Sequence, residues 1–134
     1  MANCSPTAGD RPAAVALVHG LRDDVAHRRQ WLAVLAQIRG VPLADASVGC
    51  GYGELFDAMV LLHQGQPQLA LEVLRRGEQH PGFYASVFRQ WLSGLRAEAA
   101  VLAGVENGEL DRARAMVAGT PVASAALARA EAAR

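Results

Sequence analysis

The densest group of residues that could do chemistry is Val48-Gly-Cys-Gly-Tyr-Gly-Glu54, a glycine-rich run leading into helix-type sequence. Backbone N–H groups gathered at such a turn, with a helix N-terminus behind it, can cradle a phosphate or the methionine carboxylate of a methyl donor. The histidines, His19, His27, His63 and His80, come next, because neutral imidazole is a common metal ligand. They show no HxxxH spacing and no Cys or acidic partner at ligand spacing, so we expect no metal site. Cys4 and Cys50 stand outside any CxxC pair, and a nucleophilic Cys50 would need a base that the sequence does not bring beside it. The expectation is a chain without catalytic, cofactor-binding or metal-ligating residues, and not an enzyme.

Two other groups could recognise a partner. Arg28-Arg29 and Arg75-Arg76 lie in amphipathic sequence, where the plain reading is a solvated face paired with Asp24 or Glu72 at helical spacing. Trp31, Tyr84, Phe88 and Trp91 could line a ligand pocket between helices, but large aromatics at helical spacing more often build the core. Thirteen basic and thirteen acidic residues leave no net charge to draw the chain onto nucleic acid. Every basic residue is Arg, which reads as the codon bias of a GC-rich, bacterial genome. There is no apolar run of the roughly 18 residues a membrane span needs and no signal-peptide pattern, so a reduced, cytoplasmic protein is expected.

The elements that would position these residues are helices. Apolar residues make up 51% of the 134, yet aromatics only 5%, and there is a single isoleucine, Ile38. What remains is mostly Ala, Leu and Val, a palette weighted toward helix. Residues 1–11 read as a flexible leader and 12–134 as one domain. A short helix is expected from Pro12, with Gly20 just past its end. A second opens near Asp23 and Asp24, buries Val25, Leu32, Leu35, Ala36 and Ile38, and stops at Gly40. The breaker-rich stretch from Gly40 to Gly53 reads as a loop. Helices follow over 54–64, with Leu55, Met59 and Leu62 inward, and from Pro67, with Leu69, Ala70, Val73 and Leu74 inward; the short link through Gly65 makes them antiparallel. Phe83 to Ala103 carries the strongest pattern, through Val87, Phe88, Trp91, Leu95, Ala99 and Leu102. Ala113, Met116 and Val117 mark a shorter helix, and Thr120-Pro121 look like an N-cap and first position of a final one. The pattern is still running at Arg134, which reads as a truncated array.

Two segments repeat by type. Gly65-Gln-Pro-Gln-Leu-Ala70 and Gly108-Glu-Leu-Asp-Arg-Ala113, offset by 43 residues, each place a Gly between helices and a small Ala five residues on. The chain in this respect resembles tetratricopeptide repeats of irregular period, in which a tight turn and a small residue at the crossing let paired helices approach. Phe83 to Arg134, with Trp91, Leu95-Arg-Ala-Glu-Ala-Ala-Val-Leu-Ala103 and Thr120-Pro-Val-Ala-Ser-Ala-Ala-Leu-Ala-Arg-Ala130, is similar to the repeat region of large bacterial signal-transduction ATPases. That resemblance implies a sensing arm of a transcriptional regulator; the phosphate-binding loop and DNA-binding helices of the family are not in this sequence. The glycine run also resembles the first motif of methyltransferases, which requires a strand before it and a second strand ending in an acidic residue after it. The flanks Leu43 to Ser47 and Gln68 to Arg76 have helical or polar patterns instead, and the alternative is a turn between hairpins.

The resulting expectation is an all-α chain of six or seven helices in antiparallel, tetratricopeptide-like pairs. It would bind a protein partner or other domains of a larger chain as a scaffold or sensor segment of a cytoplasmic bacterial regulator in signal transduction. Asp57, Ser86, Arg89 and Ser93, on the first helix of each pair, are the expected partner contacts. A small-molecule sensor with a ligand between its helices is the alternative, and a methyl-donor enzyme fragment using Gly49, Gly51 and Gly53 is the remote one. An unfinished array would expose an apolar end, open to self-association.

Overall fold

The computed structural model describes residues 10–48, 51–79, 86–105, 108–117 and 120–134, with the side chains at 10, 51, 52 and 86–88 outside the description. It is all α: α1 Asp10–Leu21, α2 Val25–Arg39, α3 Gly51–His63, α4 Pro67–Glu78, α5 Ser86–Leu102, α6 Glu109–Met116 and α7 Pro121–Ala133, with a 3₁₀ turn at Leu43–Asp45. No strand occurs among the described residues. None of these helices is long and apolar enough to cross a membrane.

Local chemistry sets the ends. Asp24 caps α2, its Oδ1 accepting the His27 backbone N–H at 3.2 Å. At Gly65 the backbone turns left-handed, with φ at 72°, and the Gln66 N–H reaches back to the Leu61 carbonyl at 2.9 Å, closing α3. The same long-reach bond, Val105 N–H to Ala100 carbonyl at 2.9 Å, closes α5. It also closes α1, through Asp24 N–H to His19 carbonyl at 2.9 Å, but there the left-handed residue is Asp23, with φ at 61°. Gly20, expected as the stop of α1, lies inside the helix instead. A Cβ there would fall 2.6 Å from a Val60 methyl, so the glycine serves the close approach of α1 to α3.

The helices pack chiefly on near neighbours in the chain. α1 packs on α2 and α3, α3 on α4 and α5, and α5 on α4, α6 and, most extensively, α7. The main apolar cluster is Leu55, Ala58, Ala70, Leu71, Leu74, Leu92, Leu95, Ala99, Ala100 and Ala126, with Met59, Leu62 and Trp91 against it. Phe56 bridges it to a smaller cluster of Ala13, Leu35, Ala36 and Ala46, where Leu32 also packs, and meets Trp91 edge-on with centroids 6.2 Å apart. Ala97, Leu110, Ala113 and Ala130 form a third. Ala70 and Ala113, the equivalent small residues of the repeat, are both fully buried. The expected core residues Val87 and Phe88 have side chains outside the description, and Tyr84 lies outside the described residues altogether.

Several positions expected inward face out. Val25 is 71% exposed in the first turn of α2, and Ile38, Leu69, Leu102 and Met116 are also exposed. At Ile38 the reason is register: Leu35 and Ala36 are followed on the inner face by Arg39, which is buried. Its guanidinium donates to the carbonyls of Asp45 (3.1 Å), Ala46 (2.5 Å) and Val48 (2.5 Å), so the breaker-rich loop is folded around a cation. Thr120 stands at the N-cap of α7, but its side chain makes no capping bond there; the hydroxyl donates to Gln90 Oε1 at 2.6 Å. The arginine pairs also differ from expectation. Arg28 bonds Asp57 of α3 and Arg76 bonds Glu54 of α3, at 2.9 and 2.7 Å, so their recorded carboxylate partners lie on another helix. Burial explains this, since a carboxylate taken out of water needs a partner more than an exposed one does.

Candidate binding groove

A concavity among the described residues crosses the odd-numbered helices. It holds about 250 Å³ and is open to solvent. Met59 and Leu62 of α3 and Leu95 and Leu102 of α5 form its apolar walls, with Leu21 of α1 at one edge. Spacing puts them there: Met59 and Leu62 are three apart, while Leu95, Glu98 and Leu102 are three and four apart on α5. Glu98 therefore lies on the apolar stripe of its own helix and is 9% exposed. Arg129 of α7 donates from Nε to Glu98 Oε1 at 2.9 Å. The other carboxylate oxygen, Oε2, is buried without a hydrogen-bond partner. His63 completes the rim.

A carboxylate oxygen taken out of water and left unpaired is costly, and a cation or N–H donor in the groove would relieve that cost if the Glu98 side chain turned Oε2 toward it. The arrangement can thus hold an apolar group against Met59, Leu62, Leu95 and Leu102, with a positively charged or N–H group against Glu98. The walls contain no nucleophile paired with a base. The signal in the sequence was a Glu three residues after Leu95 and four before Leu102, inside the run that otherwise reads as core.

The expected contacts do not assemble into one surface. Asp57 is half-buried and bonded to Arg28 of α2. Burial pushes its carboxyl above the usual aspartate range, while Arg28 and a hydrogen bond from the Ser47 hydroxyl pull it back. The space between α1, α2 and α3 beside it holds only about 10 Å³, room for no more than one water. Asp57 is therefore a joint between helices. Ser93 is buried, Arg89 is exposed, and the Ser86 side chain lies outside the description.

Of the glycine run, residues 49 and 50 lie outside the described residues, Gly51 opens α3, and Gly53 is buried. A Cβ at Gly53 would sit 3.1 Å from the Ser47 backbone, which accounts for that glycine by packing. The segment before α3, where a methyl-donor motif needs a strand, is a 3₁₀ turn held by Arg39. Cys4 and His80 also lie outside the described residues. The other histidines correct an expectation: Asp24 lies against both His19 and His27, and His63 Nε2 is 3.1 Å from Asp23. Asp24 and His27 are three apart at the start of α2, while the turn between α1 and α2 brings His19 to Asp24 and Asp23 faces His63 of α3. Comparison with protein families, curated proteins and solved structures found no match to this chain.

Proposed function

We propose that the chain is a non-catalytic helical binding module, tetratricopeptide-like in its pairing, that receives an apolar segment carrying Lys or Arg from a protein partner or from another domain of a larger chain. The observation that carries this reading is Glu98, a residue lining an apolar groove whose buried Oε2 has no hydrogen-bond partner. Repeat-type support comes from the pairing of α1 with α2, α3 with α4 and α5 with α6, the odd helices meeting in series, and from the buried Ala70 and Ala113. A role as the scaffold or sensor arm of a cytoplasmic bacterial regulator accords with this, as does the absence of net charge, which favours a protein over nucleic acid.

A small-molecule effector is the second reading. The groove is open and, at about 250 Å³, smaller than the roughly 300–1,000 Å³ of enclosed ligand pockets, which favours a chain segment laid across it. The test is selection of a random-peptide display library on the chain, followed by binding of the enriched peptides to Glu98→Gln and Leu62→Arg. We expect enrichment of an apolar residue next to Lys or Arg, with affinity about tenfold or more lower in both variants, about 1.4 kcal/mol. Enriched peptides indifferent to both substitutions, or no enrichment, would discard the reading.

A further inference from the structure

The turn joining α1 to α2 gathers a second group of side chains, away from the walls of the groove. His19 lies in the last turn of α1, Asp24 at the N-cap of α2 and His27 one turn into α2. Asp24 Oδ2 is 2.8 Å from His27 Nδ1 and 3.5 Å from His19 Nδ1, and the three ligand atoms lie within 4.8 Å of one another. The two imidazoles stack with centroids 5.1 Å apart and planes 21° apart.

Capping does not account for this geometry. Asp24 caps α2 with Oδ1, through the His27 backbone N–H, and that bond needs neither ring. Oδ2 is left facing two ring nitrogens. An ionised carboxylate carries no proton, so each ring nitrogen that bonds it must offer an N–H, and both rings would have to turn that donor onto the one oxygen. One divalent ion in place of those protons would let two neutral Nδ1 lone pairs and Oδ2 all donate to the same centre.

We propose that His19, Asp24 and His27 form a binding site for a first-row divalent transition ion of the zinc class. Nitrogen and oxygen ligands at about 2.0–2.2 Å from such an ion stand roughly 3.3 Å from each other in a tetrahedron, so the atoms need small shifts to close on it. Two imidazoles and a carboxylate suit zinc, nickel or cobalt better than calcium or magnesium, which prefer all-oxygen shells. The His27 N–H on Oδ1 supplies the outer bond that orients the carboxylate. Three protein ligands leave a further position for water or for a donor from a partner. The turn is also strained in a way a staple would support: Asp23 adopts a left-handed φ of 61°, where the equivalent residue closing α3 is glycine. Bound there, the ion would tie the end of α1 to the start of α2.

The test is titration of the chelator-treated chain with Zn²⁺ by calorimetry and with Co²⁺ by visible absorption. We expect one ion per chain, a rise in the thermal midpoint on Zn²⁺ addition, and affinity weakened about tenfold or more in each of His19→Ala, His27→Ala and Asp24→Asn. His63→Ala should bind as the unsubstituted chain does. In the unsubstituted chain, Zn²⁺ should shift the ring proton signals of His19 and His27 and leave those of His63, a readout that survives if a variant folds poorly. Absence of saturable binding, or retained binding in the His19→Ala/His27→Ala chain, overturns the proposal; the second result would place the ion on other residues.

Discussion

The first three helices and the last three are held together by different means. Between α1, α2 and α3 the apolar cluster is small, and polar groups do much of the joining: Arg28 to Asp57, Arg39 to loop carbonyls, His63 to Asp23. Between α5, α6 and α7 the joining surface is alanine, with Ala97, Ala99, Ala100, Ala113, Ala123, Ala126 and Ala130 all fully buried. Gly94 lets α7 come so near that a Cβ would fall 2.8 Å from the Ala123 carbonyl oxygen. Ion pairs cross the second region too, Arg96 to Glu109, Arg129 to Glu98 and Arg114 to Glu131, but only there do backbones approach over an alanine surface, so added volume should harm it more than the first.

Volume gives the sharpest contrast. Gly94→Val should cost about 3 kcal/mol in urea unfolding, because the obstacle is backbone that has no rotamer to turn away. Gly20→Ala should cost less, about 2 kcal/mol, since the atoms it meets are side chains, the Val60 methyls and Arg28 Cδ, that can give by small shifts; equal costs would break the comparison. Removing a buried donor should act next. Arg39→Met keeps most of the stem but leaves the Ala46 and Val48 carbonyls without their cation, a loss of about 2 kcal/mol in the same assay.

The smallest effects are those of pH, and the first region should show two of opposite sign. Asp57 has its carboxyl raised by burial, so the folded chain holds that proton more tightly than the unfolded chain. Its contribution is fully present below the unfolded value and is lost as pH rises through the folded one. Asp24 is lowered, chiefly by the His27 backbone N–H, so its contribution is present above the unfolded value and is lost as pH falls through the folded one. A carboxyl NMR titration should therefore find Asp57 above and Asp24 below an ordinary aspartate. Asp57→Asn should remove the first component from the stability profile and leave the second.

Much of the helical order was legible in the chain. Pro67 and Pro121 stand at first helical positions, Asp24 and Gly40 bound α2, and Gly65 closes α3, because caps and turns are decided within a few residues. The groove was half legible: Leu95, Glu98 and Leu102 share a face by spacing alone, but its partner wall on α3 and Arg129 on α7 come from packing. In the α1–α2 cluster the Asp24–His27 pair was legible as an i,i+3 spacing, but His19 joins it across a turn, where spacing gives no guide to which side chains meet.

By itself, the sequence determined that the chain is helical and where most helices begin and end, since propensity, capping and periodicity act over one or two turns. Only the tertiary structure decided that Arg39 goes inward and Ile38 outward, that Gly20 and Gly94 are points of contact, that Asp57 joins helices, and that Glu98 keeps one oxygen unpaired. Each of these depends on what a distant segment places against the residue, and burial, electrostatics and close packing are properties of that meeting.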